Sequence, residues 1–99
     1  MAQVIVRTKV LGWADGGFPG SLELSLVDAG GAEHRIVEKA PVLSSVEIPA
    51  AGPFPRELWI RGVAAAPSEG RVAVTFAHGV ATTADLDRLE LAVTDLAWL

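Results

Sequence analysis

The feature that most constrains the fold is a strict alternation of apolar and polar residues in the segment SLELSLVD (residues 21–28). Leu22, Leu24 and Leu26 occupy every second position, and serine or glutamate stands between them. Because successive side chains of a β-strand point to opposite faces of the sheet, this spacing gives one apolar face and one polar face. The segment is therefore predicted to be a strand of an antiparallel sheet with one buried face.

Similar alternation recurs along the chain, which predicts several further strands. Turn residues at positions 28–31 lie between the second and third of these segments, and another turn covers residues 64–70, so each turn is expected to close a hairpin. The fold class is therefore predicted to be all-β (mainly β), a small antiparallel β-sandwich or barrel of about six to seven strands. The additional predicted strands cover residues 3–11, 34–39, 56–63 and 71–78.

The segment between the third and fourth alternating runs is less regular. Pro41 is expected to end the third strand or to introduce a bulge, because proline cannot donate a hydrogen bond to a strand ladder. Residues 42–48 are predicted to be a short edge strand closed by Pro49. Residues 49–55 contain three prolines and are predicted to form a rigid loop.

Residues 82–99 fit two secondary structures. Leu89, Leu91 and Val93 alternate as in a strand, which would cover the sheet edge left by the preceding hairpin. A short C-terminal helix is the alternative, because several apolar residues also share one helical face and Thr82 with Asp85 could cap it. The strand is the favoured interpretation. The apolar residues of the helical alternative are Leu86, Leu89, Val93 and Leu96.

Length and composition limit the class of protein. A chain of 99 residues is expected to form a single domain, residues 1–99. The absence of cysteine excludes disulfides and cysteine-based zinc sites. The segment MAQVIVRTKV does not resemble a secretion signal, and no apolar run is long enough to span a membrane, so a cytoplasmic location is expected.

Charge and hydropathy indicate the kind of partner. The net charge of −4 argues against nucleic acid and favours a basic partner. The apolar fraction of 51% is high for a small domain and points to a partner surface or to self-association as a homodimer. The abundant alanines are the alternative explanation for this fraction, because they raise the apolar content without forming adhesive patches.

The loop GWADGGFPG (residues 12–20) carries the main candidate binding residues. Trp13 and Phe18 are large aromatic residues of the kind that anchor protein interfaces, and Asp15 would set the polarity of the loop. The alternative is that both rings fold inward to close the end of the core. The sequence leaves both interpretations open.

Two further residues are candidates for binding, and catalytic signatures are absent. Glu38 shares a strand face with His34 and Ile36, where it would be buried or half-buried, and an ion pair or an edge position is the structural alternative to a functional carboxylate. Trp59 could line a barrel mouth with the loop aromatics. His34 and His78 lack the spacing of a metal motif, and no nucleophile motif or phosphate loop is found, so no metal, cofactor or catalytic residue is predicted.

Across residues 10–43, the stretches Gly-Trp-x-Asp-x-x-Phe-Pro-Gly and His-Arg-x-Val-Glu-Lys resemble short uncharacterised bacterial proteins that share both. The resemblance covers about a third of the chain. It implies a bacterial β-domain and carries no activity over to this chain.

Three functions remain in order of preference. The first is a non-catalytic protein-binding module, of which an immunity- or inhibitor-like protein acting on a basic partner is one form. The second is a small-ligand carrier or sensor with an aromatic-lined mouth. The third is a small hydrolase or isomerase that uses Glu38, Asp15 or His34.

Overall fold

Seven strands form one curled antiparallel sheet, shaped as a half-barrel, in a computed structural model that describes all residues from Met1 to Leu99. The predicted mainly-β fold is confirmed, and the helical segments are too short to cross a bilayer. In chain order the elements are β1 (Ala2–Trp13), β2 (Ser21–Val27), β3 (Glu33–Lys39), α1 (Ala40–Leu43), β4 (Arg56–Ala64), β5 (Arg71–Phe76), β6 (Arg88–Ala92), a 3-10 turn (Val93–Asp95) and β7 (Leu96–Trp98).

Strand β1 is the central strand of the sheet. Along one edge it pairs with β4 over residues 2–10. Along its other edge it pairs with β7 over residues 4–6 and with β2 over residues 9–13. The register of β1 with β2 shifts between Val10 and Gly12, and such a β-bulge bends the strand just before the loop that leads to β2. The strand order is β3-β2-β1-β4-β5-β6, with β7 outside this path.

The alternating apolar residues form the core, as the sequence predicts. Side chains of β1, β2 and β5 at every second position are buried, among them Val4, Leu24 and Val74. Thr8 is the polar residue at these alternating buried positions, and it is 2% exposed. Its hydroxyl donates a 2.7 Å hydrogen bond to the Leu58 carbonyl, which satisfies the buried group.

The prediction of an edge strand over residues 42–48 is wrong. Residues 40–43 form the short helix α1, with Pro41 in its first turn, where a proline loses no helical hydrogen bond. The chain then turns, because the Ser44 hydroxyl bonds both the amide and the carbonyl of Val46. Leu43 and Ile48 are the buried residues of this segment, a spacing of five that a strand would place on opposite faces.

The favoured strand interpretation of residues 82–99 is confirmed for Leu89 and Leu91, whereas Val93, predicted to continue the alternation, lies in a 3-10 turn. Strands β6 and β7 cover most of the apolar part of this segment, and Val93–Asp95 forms the 3-10 turn between them. The helical alternative fails because Leu89 and Leu91 are both buried, with Glu90 exposed between them.

Candidate functional site

The loop between β1 and β2 is closed by its own hydrogen bonds. The Ala14 amide donates to the Ser21 carbonyl at 2.7 Å, and the Asp15 carboxylate accepts from the amides of Gly17 and Ser21 at 3.2 Å each. These backbone donors, that of Gly17 first, lower the pKa of Asp15 below its ordinary value of 3.8. Asp15 is therefore ionised at neutral pH and orders residues 14–20, named the β1–β2 loop below.

Trp13 supports this loop from beneath. Its side chain is half-buried and packs against the core. A Cβ added to Gly20 would lie 2.8 Å from the Trp13 ring, so glycine is the residue that fits there. The Trp13 indole N–H also donates a 3.4 Å bond to the carbonyl of Pro49. Trp13 thus fulfils the interpretation in which an aromatic ring closes the end of the core.

Phe18 takes the opposite role. Its side chain is 103% exposed, so the ring buries none of its apolar surface against the rest of the chain. The neighbouring Pro19 is tied to β3, because the Lys39 ammonium donates to its carbonyl at 3.1 Å. Phe18 therefore presents an exposed aromatic ring on a loop whose backbone is held by hydrogen bonds.

A cleft of about 820 Å³ lies between the β1–β2 loop and the segment 40–50. The loop is joined to that segment by the hydrogen bond from the Ala40 amide to the Gly20 carbonyl, 2.9 Å long. Phe18 and Trp13 line one wall, and Val46 lies on the other. The charged side chains that line the cleft are both carboxylates, Asp15 and Glu47.

The structure places the other two candidate residues outside this cleft. Glu38 lies on β3 opposite Leu22, is half-buried as expected, and accepts the backbone amide of Lys39 at 2.8 Å. Trp59 lies on the outer face of β4 opposite Arg7 of β1. The Trp59 N–H donates to Glu57 at 2.8 Å, and the Arg7 guanidinium lies 5.1 Å from the Trp59 ring.

The two histidines lie outside the cleft, and they belong to different parts of the sheet. His34 bonds the Asp28 carboxylate at 2.8 Å at the end of the β2–β3 hairpin. His78 is exposed in the connection after β5. No group of three histidine, aspartate or glutamate side chains is arranged to hold a metal ion.

The sequence predicts no binding residue on the far wall of the cleft, which is formed by the segment 40–50. Val46 and Glu47 belong to residues 42–48, predicted as an edge strand, which would have presented these side chains differently. The signal in the sequence is the pair of prolines, Pro41 and Pro49, which bracket a short segment and cannot donate to a strand ladder.

Comparisons with known proteins give no relative for this chain: no family model matches it, and neither a curated protein nor a solved structure is similar to it. The geometry of the cleft is therefore the basis for assigning a function.

Proposed function

We propose that this chain is a non-catalytic, cytoplasmic protein-binding module that captures a basic partner with the β1–β2 loop and the adjacent cleft. The observation that carries the proposal is Phe18, an aromatic side chain fully exposed at the tip of a hydrogen-bonded loop. Burying such a ring in a partner removes a large apolar surface from water, at about 25 cal/mol per Å².

The order of the loop favours binding. Association ordinarily loses free energy to the ordering of flexible loops and side chains. Here the Asp15 carboxylate and the Lys39 ammonium already hold the backbone on both sides of Phe18. The loop can therefore present its anchor without a large entropic cost.

Charge favours a basic partner. Asp15 and Glu47 are the charged residues that line the cleft, and the whole chain carries a net charge of −4. Complementary charge accelerates encounter and excludes acidic competitors. An immunity- or inhibitor-like protein that covers a basic protein is one form that fits this surface.

The test compares two serine substitutions of exposed apolar residues. Wild-type chain, Phe18→Ser and the control Val27→Ser are used as baits in extract of the native cell, followed by quantitative mass spectrometry. Val27 is 50% exposed on β2, so its substitution removes apolar surface outside the cleft. We expect a basic protein that binds wild type and Val27→Ser and is lost with Phe18→Ser. Absence of any Phe18-dependent protein contradicts the proposal.

The cleft volume favours a second candidate function, a small-ligand carrier or sensor. About 820 Å³ lies within the range of roughly 300–1,000 Å³ typical of small-molecule pockets. A ligand in the cleft would alter the fluorescence of Trp13, which lines it, and not that of Trp59, which lies outside it. A metabolite response that survives Trp59→Phe and disappears with Trp13→Phe would support this function, and no response across a broad panel would oppose it.

Self-association is the remaining form of a protein partner. A homodimer would cover apolar side chains that are exposed in the single chain, including Phe18 and Val46. Light scattering coupled to size-exclusion chromatography distinguishes the two cases. A dimer that Phe18→Ser dissociates would make a second copy the occupant of the cleft, and a monomer would leave the cleft free for a different protein.

A further inference from the structure

Several backbone donors on the walls of the cleft are absent or already used. Pro19 and Pro41 have no N–H, and the amides of Gly17 and Ser21 are occupied by Asp15. On the far wall, the Ser44 amide donates to Ala40. A partner that bound by adding a β-strand needs a row of free N–H and C=O groups. Along the β1–β2 loop this row is interrupted at residues 17, 19 and 21, so that wall of the cleft is poorly suited to strand addition.

The side chains of the cleft instead suit a ligand recognised through its shape. Phe18 and Trp13 supply aromatic rings, and Pro19 and Pro41 supply rigid apolar surface. Grooves lined by aromatic residues bind proline-rich segments, whose polyproline II helix is preformed and therefore loses little entropy on binding. The rings of such a ligand pack against aromatic faces, and its carbonyls need hydrogen-bond donors.

The Trp13 side chain offers one donor of that kind. The indole N–H of Trp13 is held by the Pro49 carbonyl at 3.4 Å, which is long for an N–H···O bond. A ligand carbonyl at a shorter distance can replace that partner at little cost. Trp13 would then both pack against the ligand and bind its backbone.

The charges of the cleft indicate what flanks the prolines. Glu47 is exposed and has no ion-pair partner within 4.0 Å, and the ammonium of Lys39 is directed to the Pro19 carbonyl. The Asp15 carboxylate lies in the same cleft. A guanidinium is the natural partner for exposed carboxylates, because its planar fork matches their geometry.

We propose that the cleft binds a proline-rich segment in the polyproline II conformation that carries a flanking arginine. The inference rests on the proposed protein-binding function and names the chemistry of the segment that the module recognises. Phe18 and Trp13 contact the prolines, and Glu47 pairs with the arginine.

The experiment titrates synthetic peptides into the isotope-labelled chain and follows amide shifts by NMR. The probe is a peptide of repeated proline pairs with an N-terminal arginine, compared with the same peptide in which alanine replaces every proline. A basic amphipathic helical peptide is the third ligand. We expect the proline-rich peptide to shift the amides of Gly17 and Val46, and the alanine peptide to bind at least about tenfold more weakly.

Variants of the chain locate the contacts. Phe18→Ser is expected to weaken the proline-rich peptide by about tenfold, as for an aromatic anchor, with Val27→Ser unchanged. Glu47→Gln is expected to weaken it by about threefold at low salt, and added salt should erase the difference. Glu69→Gln, the same substitution in the exposed turn before β5, is the matched control and should leave binding unchanged.

The outcomes separate this inference from the proposed function. Equal binding of the proline and alanine peptides overturns the inference, as does preferential binding of the helical peptide through Phe18, and either result retains a protein-binding module. Failure of every peptide to bind also overturns it. The proposed function itself fails only if the bait experiment also yields no Phe18-dependent protein.

Discussion

At the scale of the residue, the site depends on one close approach. Gly20 lies against the Trp13 ring and is followed by Ser21, whose amide and carbonyl both hold the loop. The ring of Trp13 can therefore lie flat beneath the loop because position 20 has no side chain. Gly20 therefore supports the exposure of Phe18 indirectly, because it lets the loop close over the Trp13 ring.

Gly20→Ala is predicted to destabilise the chain. The new methyl would lie 2.8 Å from two carbons of the Trp13 ring, so the ring must shift and lose packing against the core. Overpacking of this kind costs about 1–3 kcal/mol of unfolding free energy. Urea denaturation measures the change. Gly16→Ala is the control, because a Cβ there meets no atom within 4 Å, and a loss of similar size in that variant would contradict the explanation.

At the scale of the element, the β2–β3 hairpin shows how a turn is fixed by one side chain. The Asp28 carboxylate accepts the amides of Gly30 at 2.8 Å and Ala32 at 3.0 Å, and its second oxygen bonds His34. The Ala29 amide donates to the Glu90 carbonyl at 2.8 Å, which ties the hairpin tip to β6. The turn therefore contributes to the closure of the half-barrel as well as to the hairpin.

The stability contributed by Asp28 is predicted to depend on pH. The bond to His34 and then the Ala32 amide lower the pKa of Asp28 in the folded chain below 3.8. A carboxylate with a depressed pKa stabilises the fold above its unfolded pKa, and that contribution is lost as the pH falls through the folded pKa. Wild type should therefore exceed Asp28→Asn in urea midpoint at neutral pH, and the difference should shrink in acid. A difference in urea midpoint that stays the same at neutral and acidic pH would contradict the assignment of this stability to the ionised Asp28 carboxylate.

The elements also show what sequence could predict and why. Strands with one buried face, such as β2, follow directly from their alternation, because burial of the leucines selects one register. Residues 42–48 contain the same mixture of apolar and polar residues and form no strand. There the local bonds of Ser44 and the position of Pro41 decide the conformation, and neither effect shows in the periodicity.

At the scale of the whole molecule, strand β1 runs from its pairing with β7 to the cleft. Its first residues pair with β7 near both ends of the chain, and its last residue, Trp13, lies in the cleft. The cleft joins segments that are about twenty residues or more apart in sequence, so composition and periodicity could identify Trp13, Asp15 and Phe18 but not the wall that faces them. That wall is placed by tertiary bonds, such as the one from the Ala40 amide to the Gly20 carbonyl.

Closure of the sheet by the last strand gives the final prediction. Leu96 is 9% exposed in β7 and belongs to the core cluster, where β7 pairs with the first strand. Leu96→Ala should therefore lower the free energy of unfolding by about 2–4 kcal/mol through lost burial and a cavity. Leu86→Ala is the same substitution at a site that is 42% exposed, and it should change stability by less than about 0.5 kcal/mol. Thermal and urea unfolding of both variants provide the test. Equal losses in the two would mean that β7 is not a cooperative part of the sheet, whereas a large loss confined to Leu96 indicates that the packing of β7 beside β1 stabilises the core.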